Sequence, residues 1–134
     1  MEFSKKLFFN TYWAFNRDQY SDESTFITEL SSYHEQISGS GLPFDKNEIV
    51  LSSAQLVLQY VIYPEDGDPL EPQFVLHSND QNGFTAAEIL FKANNYLYDK
   101  LKEEDHVYFE GLLFATDSDP EYDGIPVYFV LLGN

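Results

Sequence analysis

The sequence has no cysteine and few basic residues. Its 134 residues include 7 Lys+Arg against 23 Asp+Glu, so the formal net charge is −16 at pH 7. Without cysteine, the chain has neither disulfides nor thiol chemistry, and it fits a reducing compartment. The negative charge disfavours nucleic acid and anionic membranes, and it favours a cationic partner. We therefore expect a cytoplasmic protein that binds neither nucleic acid nor membrane.

Long apolar runs and catalytic motifs are also missing. No stretch approaches the roughly 20 apolar residues of a membrane helix. Polar residues 10–12 interrupt the N-terminal apolar segment, which has no cleavage site of the signal-peptide kind. The GxSxG elbow, the glycine-rich phosphate loop and the HExxH helix are absent. We expect no cofactor and no metal, and we expect binding rather than catalysis.

Apolar and aromatic residues are plentiful. Hydrophobic residues make up 43% of the chain and aromatic residues 17%, far more than a disordered acidic segment would contain. The length is close to the commonest size of a single domain with its own core. The sequence therefore predicts one domain spanning residues 1–134.

Two segments have the apolar spacing of amphipathic helices. Residues 85–102 begin with Thr85 and Glu88, which together are typical of a capping box. Residues 22–37 follow Ser21, a predicted N-cap, and the apolar face of this helix is expected to comprise Phe26, Leu30, Tyr33 and Ile37. Residues 3–15 fit either a helix or a strand.

Strand patterns dominate the remaining sequence. Four strands are predicted, at residues 55–63, 73–77, 111–116 and 125–132, and the last two form an antiparallel hairpin. Residues 127–132 are continuously apolar, which favours a central strand that is covered on both faces, or by helices on one face and by a partner on the other. The fold class is thus α+β: an antiparallel sheet of about four or more strands with two or three helices packed on it.

Two acidic loops are the predicted partner-binding regions. Residues 103–134 contain eight acidic residues and no lysine or arginine. If both loops lay at one end of the sheet, their field would attract a basic protein, and nearby tyrosines such as Tyr63 and Tyr128 would anchor it. The predicted partner-binding residues are Asp117, Asp119, Glu121, Tyr122 and Asp123 in one loop, and Glu65, Asp66 and Asp68 in the other.

Two alternative functions remain open. His106 follows three acidic residues that favour its protonated form, and pairing with Glu110 would create an acid–base site for a small enzyme. A structural role for His106 at the end of the second helix competes with this interpretation. The alternating carboxylates of residues 117–123 suggest a calcium-binding module, although Tyr122 stands where an EF-hand loop requires glycine.

Residues 84–112 resemble a segment of the small acidic α+β proteins that are encoded beside bacterial polymorphic toxins and act as immunity proteins. The residues that carry the resemblance are Phe84-Thr85-Ala86, Leu90-Phe91-Lys92, Asp105-His106 and Phe109-Glu110-Gly111-Leu112. The resemblance implies a cytoplasmic protein that binds and blocks a cognate toxin without catalysis of its own. We expect a basic protein partner, and a homodimer formed through an exposed sheet edge remains open.

Overall fold

The computed structural model describes residues 3–134, which form two α-helices and two β-sheets. The elements in chain order are β1 (Lys6–Leu7), α1 (Glu23–Ser38), β2 (Ile49–Leu51), β3 (Gln55–Gln59), β4 (Gln73–His77), β5 (Phe84–Thr85), α2 (Ala86–Leu101), β6 (Tyr108–Thr116) and β7 (Val127–Gly133). The predicted α+β class is confirmed. Sequence patterns did not predict β1, β2 and β5, which have only two or three residues each.

The larger sheet has the strand order β1-β6-β7-β3-β4, and β2 pairs with β5 in a second sheet. The predicted hairpin is confirmed, because β6 and β7 run antiparallel with Leu112 opposite Val130. However, β3 and β7 run parallel, with Leu58 opposite Tyr128, so the sheet is mixed rather than wholly antiparallel. The long connection through α2 permits this pairing, since parallel strands need a crossover.

The prediction that the last strand is central is also confirmed. Strand β7 lies between β6 and β3, and the two edges of the larger sheet are β1 and β4. The apolar C-terminal strand therefore has no free edge for pairing with a second copy of the chain.

Helix α2 begins almost where the sequence predicts. The Thr85 hydroxyl accepts a hydrogen bond from the Glu88 N–H at 3.1 Å, which confirms one half of the capping box. The predicted second bond, from the Thr85 N–H to the Glu88 carboxylate, is wrong. The Glu88 carboxylate instead accepts the Asn79 N–H and the Lys92 ammonium, both at 2.7 Å, because the loop before β5 folds over the start of α2. This buried carboxylate thus holds that loop on the helix.

Helix α1 is capped one residue later than predicted. The Asp22 carboxylate, not Ser21, accepts the Thr25 N–H at 2.7 Å, and this bond holds the pKa of Asp22 below its usual value. The buried face is also rotated. Ile37 is 53% exposed, whereas Ile27 and His34 are buried.

The N-terminal segment that fits helix or strand adopts neither over most of its length. Its residues 13–15 lie alongside the start of β6, where the Phe109 N–H donates to the Trp13 carbonyl at 2.8 Å and the Phe15 N–H donates to the Val107 carbonyl at 3.0 Å. The Trp13 indole N–H donates to the buried Asn94 side chain of α2 at 2.9 Å. The segment therefore joins the sheet to the helix layer.

Both helices pack on the same face of the larger sheet. Side chains from α1, α2 and both sheets share one core, including Phe26, Leu97, Phe84, Leu58 and Tyr128. Alternation along β7 sends Tyr128 and Val130 into this core and Phe129 to the opposite face, where it is 37% exposed. The larger sheet thus has one face covered by helices and one face without them.

Replacing Asn94 with alanine tests how firmly the N-terminal segment is held. The substitution leaves the Trp13 indole N–H and the Asp18 carbonyl without their partner, so we expect a loss of about 1–3 kcal/mol in unfolding free energy. Because Trp13 is the only tryptophan, its fluorescence in a urea titration reports the change directly. Asn82→Ala, in an exposed loop, should stay within about 0.5 kcal/mol of the original protein. Equal urea midpoints for Asn94→Ala and Asn82→Ala would contradict the role of Asn94 in holding the N-terminal segment.

Two buried tyrosines predict a stability limit at high pH. Burial raises the pKa of Tyr60 and of Tyr128 to about 12. Because the unfolded chain loses these protons near pH 10, the stabilisation is complete below pH 10 and is lost as the pH rises towards 12. We expect Tyr128→Phe to reduce the decline of unfolding free energy over that range, measured by urea titrations at several pH values. A decline parallel to that of the original protein would contradict this assignment.

Candidate functional site

The loop between β6 and β7 presents its acidic residues to solvent. It contains a short 3₁₀ turn at Pro120–Tyr122, capped by Asp119, whose carboxylate accepts the Glu121 N–H at 2.9 Å. Asp117, Glu121 and Asp123 are exposed, whereas Asp119 and Tyr122 are half-buried. Since Asp119 is engaged in the turn, the exposed carboxylates of this loop are three.

The loop between β3 and β4 is the second predicted partner-binding region. Two backbone bonds between Ile62 and Leu70, at 2.8 and 2.9 Å, extend the β3–β4 ladder towards its tip. Glu65, Asp66 and Asp68 lie beyond that bridge and are exposed. This loop is therefore a narrow projection with a negatively charged tip.

The two acidic loops lie at opposite ends of the larger sheet. The first loop precedes β7 and the second follows β3, and these two strands run parallel. A hydrogen bond from the Val57 N–H to the Pro126 carbonyl places the first loop beside the start of β3. The two groups of carboxylates thus do not form one concentrated field, although each end of the sheet is acidic.

The carboxylates of the acidic loops form no ion pairs within residues 3–134. The ion pairs of the described residues are Lys92 with Glu88 and Lys102 with Asp99, while His106 lies 2.9 Å from a carboxylate oxygen of Asp105. Other cations lie over aromatic rings, such as Arg17 at 4.8 Å from the centre of Tyr33. The carboxylates of both loops are therefore available to an outside partner.

His106 and Glu110 do not form the hydrogen-bonded pair that an acid–base site would require. The Nδ1 atom of His106 lies 2.9 Å from a carboxylate oxygen of Asp105, and its ring packs on Tyr63 with 4.5 Å between ring centres. Helix α2 ends at Leu101, so His106 does not terminate it as predicted. Instead, His106 joins the tip of the β3–β4 loop to the start of β6.

Glu110 lines a cleft on the face of the sheet without helices. The cleft has a volume of about 210 Å³ and is bordered by Val61, Tyr63, Glu110, Val130, Leu131 and Leu132; we call it the Glu110 cleft. The Glu110 carboxylate lies over Gly133, where a side chain would approach it to 2.7 Å. One carboxylate thus borders a cleft that also has valine, leucine and tyrosine side chains.

The Glu110 cleft continues into an apolar surface that sequence reasoning did not select. The open sheet face, formed by Leu113, Phe129, Leu131 and Gln59, lies beside the cleft, with Phe129 opposite both Leu113 and Gln59. None of these side chains belongs to the core under the helices. The signal available in the sequence was the unbroken apolar run of β7, because alternate residues of a central strand point to opposite faces.

Tyrosines make unequal anchors for a partner. Tyr63 is 50% exposed and can contact one, whereas Tyr128 is fully buried. The Tyr128 hydroxyl donates to the Ser4 carbonyl at 2.5 Å. The suggestion of Tyr128 as a surface anchor is wrong, since it lies on the helix-covered face of β7.

No group of three or more histidine, aspartate and glutamate side chains within residues 3–134 is placed to share a metal ion. His34 is buried, and its Nδ1 accepts the Tyr12 N–H at 3.1 Å. In the same part of the chain, no helix is long and apolar enough to cross a membrane.

Comparison of the chain with protein-family models, with curated sequences and with solved structures found no match. The function is therefore inferred from the residues of this chain.

Proposed function

We propose that this protein binds a basic protein partner and blocks it, as an immunity-type inhibitor blocks its cognate toxin. The observation that carries the proposal is the placement of charge. Acidic loops whose carboxylates form no ion pairs within residues 3–134 project from both ends of the sheet, while most of the seven basic residues contact carboxylates or aromatic rings of their own chain.

The two acidic ends would act mainly on the encounter between the proteins. Exposed carboxylates attract a basic surface over about 10 Å at 0.1 M salt, and they pull the partner towards the sheet that lies between them. In an inhibitor of a nucleic-acid-cleaving toxin, they would occupy the basic cleft that otherwise binds phosphates. The enzyme and calcium-binding alternatives have less support, because His106 pairs with Asp105 and because Asp119 is engaged in the turn.

Neutralising one acidic loop tests the proposal. We expect the triple variant Asp117→Asn, Glu121→Gln, Asp123→Asn to associate with the basic partner about tenfold more slowly at low salt. Asp119 is left unchanged so that the turn keeps its cap. The partner is isolated on the immobilised protein from a lysate that contains the neighbouring gene products, and association is measured by surface plasmon resonance.

The matched control removes three exposed acidic residues elsewhere. Glu29→Gln, Glu35→Gln, Glu103→Gln changes the net charge equally, but two of its positions are on α1 and one follows α2. It should slow association clearly less than the loop variant. An equal effect of the two triple variants would mean that net charge alone attracts the partner. If no basic protein is retained, or if the retained protein keeps its full activity when bound, the proposed function is wrong.

A further inference from the structure

The four residues that define the open sheet face carry no charge, although Lys6 of β1 lies beside Leu113 on the same face. Its four residues are apolar or amide side chains: Leu113 and Leu131 are half-buried, and Phe129 is 37% exposed. Val127, at the start of β7, is buried, so the exposed apolar surface lies towards the other end of the strand. That end holds the Glu110 cleft and the β3–β4 loop.

The cleft has the size of a subsite for one side chain. Its volume of about 210 Å³ is below the roughly 300–1,000 Å³ of small-molecule pockets. It is lined by apolar side chains, Val61 and Leu131 among them, beside the exposed Glu110 carboxylate. The stem of a long unbranched side chain can cover this apolar surface while its charged end stays at the rim.

The polar groups at the rim of the cleft select a cation. The Glu110 carboxylate has no cationic partner among residues 3–134. Tyr63 is half exposed, and its ring contacts the tilted His106 ring with 4.5 Å between ring centres, so part of the tyrosine ring faces solvent at this rim. Glu65, Asp66 and Asp68, which follow Tyr63 in the same loop, add negative potential at this end of the sheet.

A guanidinium group satisfies all of these features at once. It pairs with a carboxylate through two parallel hydrogen bonds, and it stacks on aromatic rings. Its three-carbon stem covers apolar surface. A lysine ammonium would supply the charge but not the planar match to both the carboxylate and the ring.

We propose that the Glu110 cleft binds an arginine side chain of the basic partner, whose adjoining apolar residues lie on the open sheet face. This inference rests on the proposed function, which supplies the premise that the partner is a basic protein. Charge complementarity supports this occupant over a second copy of the chain, because two copies would each bring a net charge of −16 to the contact.

A short peptide tests the cleft without knowledge of the partner. Isotope-labelled protein is titrated with acetyl-Leu-Arg-Leu-amide, and backbone NMR shifts are recorded. We expect a dissociation constant on the order of 1 mM, with the largest shifts at Tyr63, Leu131 and Gly133. The peptide with neutral citrulline in place of arginine should bind at least about fivefold more weakly, because it keeps the shape but loses the charge.

Substitutions then separate the cleft from the general acidity of the surface. Glu110→Gln should weaken the arginine peptide about tenfold, whereas Glu103→Gln, an exposed carboxylate outside the cleft, should change its affinity less than twofold. Phe129→Ser should weaken the peptide through its leucines, and Ile37→Ser, on an exposed position of α1, should not. Unchanged NMR spectra of the free variants elsewhere in the chain confirm that each one folds.

Several outcomes would overturn the inference. These are the absence of shifts up to about 10 mM peptide, shifts spread over both acidic loops, or equal affinities for Glu110→Gln and Glu103→Gln. Sedimentation that shows a dimer dispersed by Phe129→Ser would make a second copy the occupant of the open sheet face.

The inference and the proposed function can fail separately. If the basic partner binds and depends on the acidic loops but is indifferent to Glu110→Gln and Phe129→Ser, the proposed function stands and the cleft is not its contact. If the arginine peptide binds in the cleft but no basic protein is retained from the lysate, the cleft stands and the proposed function fails.

Discussion

The architecture depends on two adjacent asparagines of α2 that hold the N-terminal segment. The buried Asn94 side chain accepts the Trp13 indole N–H and donates to the Asp18 carbonyl, and Asn95 exchanges hydrogen bonds with the Tyr20 backbone. These bonds bring Trp13 against Phe26 of α1, with 5.4 Å between ring centres. Because residues 13–15 are also bonded to the start of β6, one segment sets the position of both helices relative to the sheet. A buried amide whose hydrogen bonds are all made specifies such a position more strictly than apolar packing does.

The parallel pairing of β3 with β7 determines where the charge can act. In an antiparallel arrangement of these strands, the two acidic loops would share one end of the sheet and repel each other. In the observed arrangement, the two loops are separated by the length of β7, which is on the order of 20 Å for a strand of seven residues. The apolar open sheet face then lies between two acidic ends, which is the arrangement of a polar rim around an apolar contact surface.

The sequence predicted the regular elements well and their assembly less well. Helix α2, the β6–β7 hairpin and the central place of β7 follow from local signals: a Thr85 cap, a turn-rich connection and an unbroken apolar run. The parallel pair and the path of the N-terminal segment do not, because they depend on contacts between distant residues such as Trp13 and Asn94. The candidate site likewise has one part that the sequence predicts and one part that depends on the assembled fold. Exposed acidic loops are visible in the sequence, whereas the Glu110 cleft exists only where β3, β6 and β7 meet. Tyr63 was selected for its aromatic character, but its contact with the His106 ring could be seen only in the fold.

Loops and cleft would contribute to different steps of binding. Exposed carboxylates that are surrounded by water interact weakly with any single cation, so they raise the rate of encounter more than they prolong the complex. In the proposed complex, an arginine would lie against Val61 and Leu131, and its pairing with Glu110 would have to be broken before the partner could leave. Added salt should therefore slow association strongly and affect dissociation much less. Such a division suits an inhibitor that must find its target quickly and then remain bound, since the two rates can be adjusted by different residues.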